Sequence, residues 1–403
     1  MDRRDCDAAQ VSCDYTSLKR CRLPAATLLA VLVAAAGLPE PAHAQSYRAY
    51  VAAESEDEVA VLEFTPEGGL SVEKVIRVGR WPAEIEGPHG MFFDPSGEYW
   101  YLTLGHGFPN GYLLKYETGP DTVVAATELG FFPATVSLTP DGVLAFAVNS
   151  NFYGDHVPST VSVVDTEDMY EIERVTTCTM PHGSRMSPDG MHNYSACMMD
   201  DQLVEMSTFS LEVTRRLNLV TGEQVAEPVA HGAGMGAGGM AGGTTGNMAG
   251  RVGGSGMAAC SPTWTTLSGD GRFVYVACNR GNEIVQVDIE SWSVTRRIPA
   301  EGAPYNLALT NDGSRLLATL KGSGHLAVWD LETGEPLVKI ESAQKVTHGI
   351  VVTSDNRFAF VTVEGIGGQP GIVEVIELAT YERVGMAKVG KQAGGITLVP
   401  GAG

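Results

Sequence analysis

From residue 45 onward, apolar and polar positions alternate with period two in runs that recur in a fixed order. In residues 347–389 the order is "THGIVVT", a turn, "RFAFVTVEG", "GIVEVIEL" and "ERVGMAKVG". Period-two alternation sends successive side chains to opposite faces of an extended segment, so each run predicts a β-strand. The first run, strand A, is the most continuously apolar, as expected of a strand buried on both faces. The last, strand D, is polar enough to face solvent.

Turn signals punctuate these runs at Asp94-Pro-Ser-Gly97, Thr139-Pro-Asp-Gly142, Ser187-Pro-Asp-Gly190, Ser268-Gly-Asp-Gly271, Thr310-Asn-Asp-Gly313 and Thr353-Ser-Asp-Asn356. Their last residues lie 45, 48, 81, 42 and 43 apart, a repeat carrying one insertion. A period of about 40–50 residues with four strands per unit predicts propeller blades. Strand A is expected at 88–94, 133–139, 181–187, 262–268, 304–310, 347–353 and 394–399. The mature chain opens instead on "YRAYVAAE", "EVAVLEF" and "LSVEKVIRVG", which read as strands B, C and D. The last strand A therefore completes the first blade. The prediction is an all-β, seven-bladed β-propeller of four-stranded antiparallel blades, its ring closed by the C-terminal strand in the N-terminal blade. Closure removes the open sheet edges that invite aggregation.

The first 44 residues read differently. Residues 23–37, "LPAATLLAVLVAAAG", form an apolar run after Lys19, Arg20 and Arg22 and before Ala42-His43-Ala44. This is the pattern of a secretory signal cut before Gln45. The domains expected are a leader over 1–44 and one propeller over 45–403, destined for the periplasm or the exterior. The apolar run is too short to span a membrane comfortably, and no later stretch is longer. The chain carries 27 basic and 48 acidic residues, with five of each in the first 44, so the net charge of −21 belongs to the mature part. Such a surface repels phosphate backbones, which excludes nucleic acid as a partner. A monomer is expected.

"FVYVACNRGNEIVQVDIESWSVTRRI", the following "PYNLALTNDG" and "PHGSRMSPDG" with its companions resemble the YVTN-repeat (YncE-like) seven-bladed β-propeller family over essentially all of the mature chain. The sequence departs from the strict motif at Ala277-Cys278-Asn279, where the Thr-Asn of the name would fall. The resemblance implies the fold. For function it implies a range: adhesion and binding proteins, lactonases, and relatives that hold haem d1 or copper at the propeller mouth.

Strands in a blade run alternately up and down, so the D-to-A and B-to-C connections open on one face of the disc. His89, His182 and His348 begin strands A, in "PHG" or "THG". His106, His156 and His325 fall in or beside B-to-C connections, and His231 begins the insertion between blades 4 and 5. Seven of the eight mature histidines thus map to one face, with His192 on the other. The ligand-binding face expected from this asymmetry comprises His89, His106, His182, Trp264, Tyr305, Asn306, His348 and Glu364. A structural role competes, since an imidazole at the start of strand A can hydrogen-bond a carbonyl of the neighbouring blade.

Soft ligands share that face. Met198 and Met199 lie beside the strand ends, and Met235, Met240, Met248 and Met257 populate a Gly/Met-rich insertion at about 222–259, expected to be a mobile flap. Imidazole and thioether suit copper, so the candidate metal set is His89, His182, His348, His231, Met198 and Met199. Copper or haem is compatible with the sequence, and neither is required by it. Cys178 with Cys197, and Cys260 with Cys278, each place one cysteine before strand A and one at the end of strand B. Two in-blade disulfides are expected in an oxidising compartment, with thiolate ligation of a metal as the rival.

Catalytic motifs are sparse. Ser184 lies two residues from His182 on one strand, and no Gly-x-Ser-x-Gly elbow joins a strand to a helix. The adjacent Asp200 and Asp201 do not make a calcium cage. The function expected is a binding module for a small molecule or protein at the histidine-rich face, with the question of an enzyme left open because no residue pattern singles out a reaction. A copper- or haem-dependent redox protein using that face is the alternative. A lactonase drawing on His89, His182, His348 and Glu364 comes third.

Overall fold

The computed structural model describes residues 45–106, 109–226 and 258–401. The expected leader lies outside them, as do His231, Met235, Met240, Met248, Met257 and most of the insertion.

Seven four-stranded antiparallel sheets form the ring. Blade 1 is made by both ends of the domain: Ala393–Leu398 pairs with Tyr47–Ala53, followed outward by Glu58–Thr65 and Gly69–Arg77. The register sets Tyr50 opposite Thr397 and Val51 opposite Ile396. The other innermost strands are Pro88–Phe93, Pro133–Leu138, Pro181–Met186, Pro262–Leu267, Pro304–Leu309 and Val346–Val352, in blades 2 to 7. The seven-bladed architecture and its closure are as the repeat predicts.

The recurring Ser/Thr-x-Asp-Gly turn joins strands A and B, and its side chains explain its composition. Ser187 Oγ donates to Asp189 (2.6 Å), and Gly190 closes the turn onto the Ser187 carbonyl with φ of 72°. Thr353 and Asp355 make the same bond (2.6 Å), with Asn356 at φ 62° in the glycine position. Glycine and asparagine are the residues that best tolerate this left-handed backbone.

The core lies between blades. One buried cluster joins Tyr275 and Ile284 of blade 5 to Leu316 and Trp329 of blade 6, and another joins Tyr50 and Val61 of blade 1 to Trp100 and Leu114 of blade 2. Strands B and C are therefore apolar on both faces, while strands D alternate toward solvent. The blade 1–2 interface also holds a polar anchor. Asp121 accepts hydrogen bonds from Tyr50 Oη (3.0 Å) and Trp100 Nε1 (2.9 Å) and is ion-paired with Lys74.

Both expected pairings are present, but only Cys260–Cys278 lies within one blade: Cys178 is in the last strand of blade 3, Tyr170–Thr179, so its bond to Cys197 staples blade 3 to blade 4. Cys178 and Cys197 have Cα atoms 5.9 Å apart, and Cys260 and Cys278 are separated by 4.5 Å. These sulfurs are bonded to one another, which removes them as thiolate ligands.

Candidate functional site

At the channel mouth each inner strand parts from its own strand B through a register shift, as between Pro88 and Met91, Pro181 and Ser184, and Thr347 and Ile350. The freed backbone turns toward the next blade. His89 Nδ1 donates to the Ala134 carbonyl (2.7 Å), and His182 Nδ1 to the Thr263 carbonyl (3.1 Å). A carbonyl can only accept, so Nδ1 carries the hydrogen in both rings and Nε2 keeps its lone pair. His348 repeats this placement toward the Gly394 backbone without closing a bond within hydrogen-bonding geometry. The glycine after each histidine makes the approach feasible. A Cβ would lie 2.5 Å from the Ala134 oxygen at Gly90, from Trp264 Cα at Gly183, and from the Gly394 oxygen at Gly349.

Three blades that are not neighbours thus bring their imidazoles together. The His89 ring centroid lies 5.7 Å from that of His182 and 5.9 Å from that of His348, both edge-on. Tyr305 of blade 6 closes the group, 4.7 Å from the His348 ring, with its hydroxyl 3.2 Å from His182 Nε2. All four side chains are buried. Burial, reinforced by His89, lowers the basicity of His182 to about 3. Burial with Lys321 and the other two histidines puts His348 well below the ordinary histidine range. Both are therefore neutral at physiological pH.

Charged groups ring this neutral cluster. Glu54 meets His106 Nε2 at 2.5 Å and accepts from Gln392 at 2.8 Å. Burial alone would raise the Glu54 carboxyl, but the His106 hydrogen bond and nearby basic groups hold it below its usual value. Lys321 pairs with Glu364 (2.8 Å) and stands 4.3 Å from the Tyr305 ring centre. Burial would lower its basicity, and the Glu364 carboxylate more than offsets that. Glu364 also lies 3.8 Å from His348 Nε2. Phe132 bridges the two zones, 5.7 Å from His89 and 5.3 Å from His106, with Tyr153 beside it.

The structure thus brings His89, His106, His182, Tyr305, His348 and Glu364 together at one end of the channel, while Trp264 and Asn306 line the adjoining cavity. Met198 and Met199 follow strand B of blade 4, their amides held by the Met180 and Thr179 carbonyls. His156 is exposed, His325 bonds locally to Ser323, and His192 sits at an A-to-B turn on the opposite face. Ser184 donates to Asn193 (2.7 Å) in a buried pair, which turns its hydroxyl to blade 4's own strand B. Among the described residues no three His, Cys, Asp or Glu side chains are grouped to hold a metal ion.

Sequence reasoning missed Glu54, Lys321, Phe132 and Arg185. Glu54 and Lys321 directly follow strands B of blades 1 and 6, His106 comes just after that of blade 2, and Glu364 ends strand B of blade 7, so topology alone could have added the first two. Arg185 is a charged residue inside an innermost strand, where its neighbours in the ring are apolar or small.

No family model matches the chain, and no curated protein resembles it in sequence. Solved structures share its fold. A candidate 6-phosphogluconolactonase from Bacteroides fragilis is 14% identical with a TM-score of 0.64, over 90% of this chain and 100% of that one. Hydrazine synthase from Kuenenia stuttgartiensis is 16% identical with a TM-score of 0.56, over 75% and 80%. A dihydro-haem d1 dehydrogenase in complex with DHE is 14% identical with a TM-score of 0.56, over 87% and 74%. At such identities the likeness defines the class, a seven-bladed β-propeller, and carries fold alone.

Proposed function

We propose that this chain is an exported propeller of the YVTN-repeat type that binds a small ligand at the mouth lined by His89, His182, Tyr305 and His348. The carrying observation is the meeting of three imidazoles from blades 2, 4 and 7, with His89 Nδ1 tied to a neighbouring blade so that its Nε2 is left as an acceptor, while His182 Nε2 accepts from Tyr305. The Glu54 and Glu364 carboxylates stand around them. Lone pairs and carboxylates suit a ligand rich in hydrogen-bond donors, such as a polyol or an amine. The two disulfides fit an oxidising compartment.

A metal ion is the second reading. An imidazole whose Nδ1–H is held by a backbone carbonyl has the orientation metal-ligating histidines need, and neutral imidazoles suit copper or zinc. Modest ring rotations would have to bring the Nε2 atoms into one coordination shell. Glu364 is engaged with Lys321, which favours binding over lactone hydrolysis.

Native mass spectrometry of residues 45–403, exported to a periplasm with copper in the medium and purified without a metal-binding tag, tests these readings. A retained organic mass, lost when His89, His182 and His348 are changed together to Ala, supports the first. About one metal ion per chain, lost in the same variant, supports the second. A bare chain that takes up neither copper, zinc nor a polyol or amine from a mixed panel defeats both.

A further inference from the structure

The channel contains a cation with no carboxylate partner among the described residues. Arg185, on the inner strand of blade 4, donates to the Ser184 carbonyl (2.9 Å) and lies 5.2 Å from the Trp264 ring centre. No carboxylate acts on it; burial alone weakens its basicity to about 10, which leaves it charged at neutral pH. The contrast within the same molecule is plain. Arg215 is paired with Glu205, Lys74 with Asp121 and Lys321 with Glu364. Among the described residues the channel arginine is thus left without one, in a chain with 48 acidic residues.

Two further groups beside Arg185 lack partners. Trp264 Nε1, in a side chain 6% exposed, has no acceptor, and Asn306 Oδ1, in one 4% exposed, has no donor. Buried polar groups are normally satisfied, so unpartnered ones mark an occupant. All three residues line a cavity of about 30 Å³ that Met91, Val136 and Ile350 close on the apolar side. That volume holds roughly two waters, and hence one small ion. The Asn306 amide can turn either its oxygen or its N–H groups toward it.

We propose that the channel binds one small monovalent anion, of chloride size, between the Arg185 guanidinium and the Trp264 indole N–H. The ion supplies the missing counter-charge and the missing acceptor together, in a cavity whose upper wall is shared with the mouth through His89 and His348.

Thermal denaturation of the exported, disulfide-bonded protein tests this, with sodium methanesulfonate replaced stepwise by sodium chloride at constant ionic strength. Methanesulfonate is too large for the cavity and carries no hydroxyl groups for the mouth. The expected result is a Tm that rises with chloride as for a single site. In Arg185→Met the rise disappears, and the Tm in methanesulfonate alone is no lower than that of the parent. In Trp264→Phe the chloride dependence shifts to several-fold higher concentration. A parent Tm indifferent to the exchange, or an undiminished rise in Arg185→Met, overturns the proposal. Should Arg185→Met fail to fold, an unshifted dependence in Trp264→Phe overturns it instead.

Discussion

Tyr305 of blade 6 donates its hydroxyl hydrogen to His182 Nε2 of blade 4 across the channel, over 3.2 Å. The direction follows from the other end of the ring, where the Thr263 carbonyl takes the Nδ1 hydrogen. Burial raises the Tyr305 phenol to about 12, so it remains a donor. Tyr305→Phe removes this bond and leaves a buried acceptor unpaired. We expect a loss of about 1–3 kcal/mol in chemical denaturation. An unchanged midpoint and slope would show that the bond contributes nothing.

The two neutral histidines make stability depend on pH. His182 and His348 titrate far lower in the folded chain than the unfolded value of about 6.5. Below about pH 6.5 the unfolded state binds protons that the folded state does not, so their contribution is complete above that pH and declines as pH falls toward about 3 for His182. Each histidine adds at most about 1.4 kcal/mol per pH unit in that window. Denaturation at pH 7.0, 6.0 and 5.5, before most carboxylates titrate, should show this slope in the parent. His182→Gln with His348→Gln should flatten it, and an equal slope in both proteins would refute the account.

Cys260–Cys278 ties the residues before strand A to the end of strand B within blade 5, whereas Cys178–Cys197 ties the last strand of blade 3 to strand B of blade 4, with sequence separations of 18 and 19 residues. In the chain-entropy model, loops of this size correspond to about 3 kcal/mol each. Replacing Cys178 and Cys197 together by Ser, or Cys260 and Cys278, is expected to lower stability by that order. Intact mass before and after reduction should differ by four hydrogens.

The glycines at the mouth are tested by a matched pair. In Gly183→Ala the new Cβ would stand 2.5 Å from Trp264 Cα and 2.6 Å from the Thr263 oxygen, both backbone atoms. The inner strands would have to separate, and we expect a loss of more than about 2 kcal/mol. Gly269, in an A-to-B turn, has nothing within 4 Å of such a Cβ, and Gly269→Ala should stay within about 0.5 kcal/mol of the parent. Similar effects at the two positions would remove the steric explanation for the His-Gly pair.

Much of this protein follows from sequence by local rules. The Thr139, Ser187, Ser268 and Thr353 turns close through side chains two residues apart, and strand alternation is a property of neighbours, so the blades, their number and the closing strand at Ala393–Leu398 were legible. The disulfides followed because an antiparallel pair fixes which ends are adjacent. The meeting of His89, His182 and His348 was not legible, because they come from blades 2, 4 and 7. Their distances depend on how the register shifts at the mouth turn each inner strand toward the next. The partnerships of Glu54 with His106 and of Lys321 with Glu364 likewise join different blades. The isolation of Arg185 is a statement about every group around the channel at once. Period and turn chemistry are carried by adjacent residues, whereas the site is made where seven separate strands converge on one axis, and only the closed ring sets that geometry.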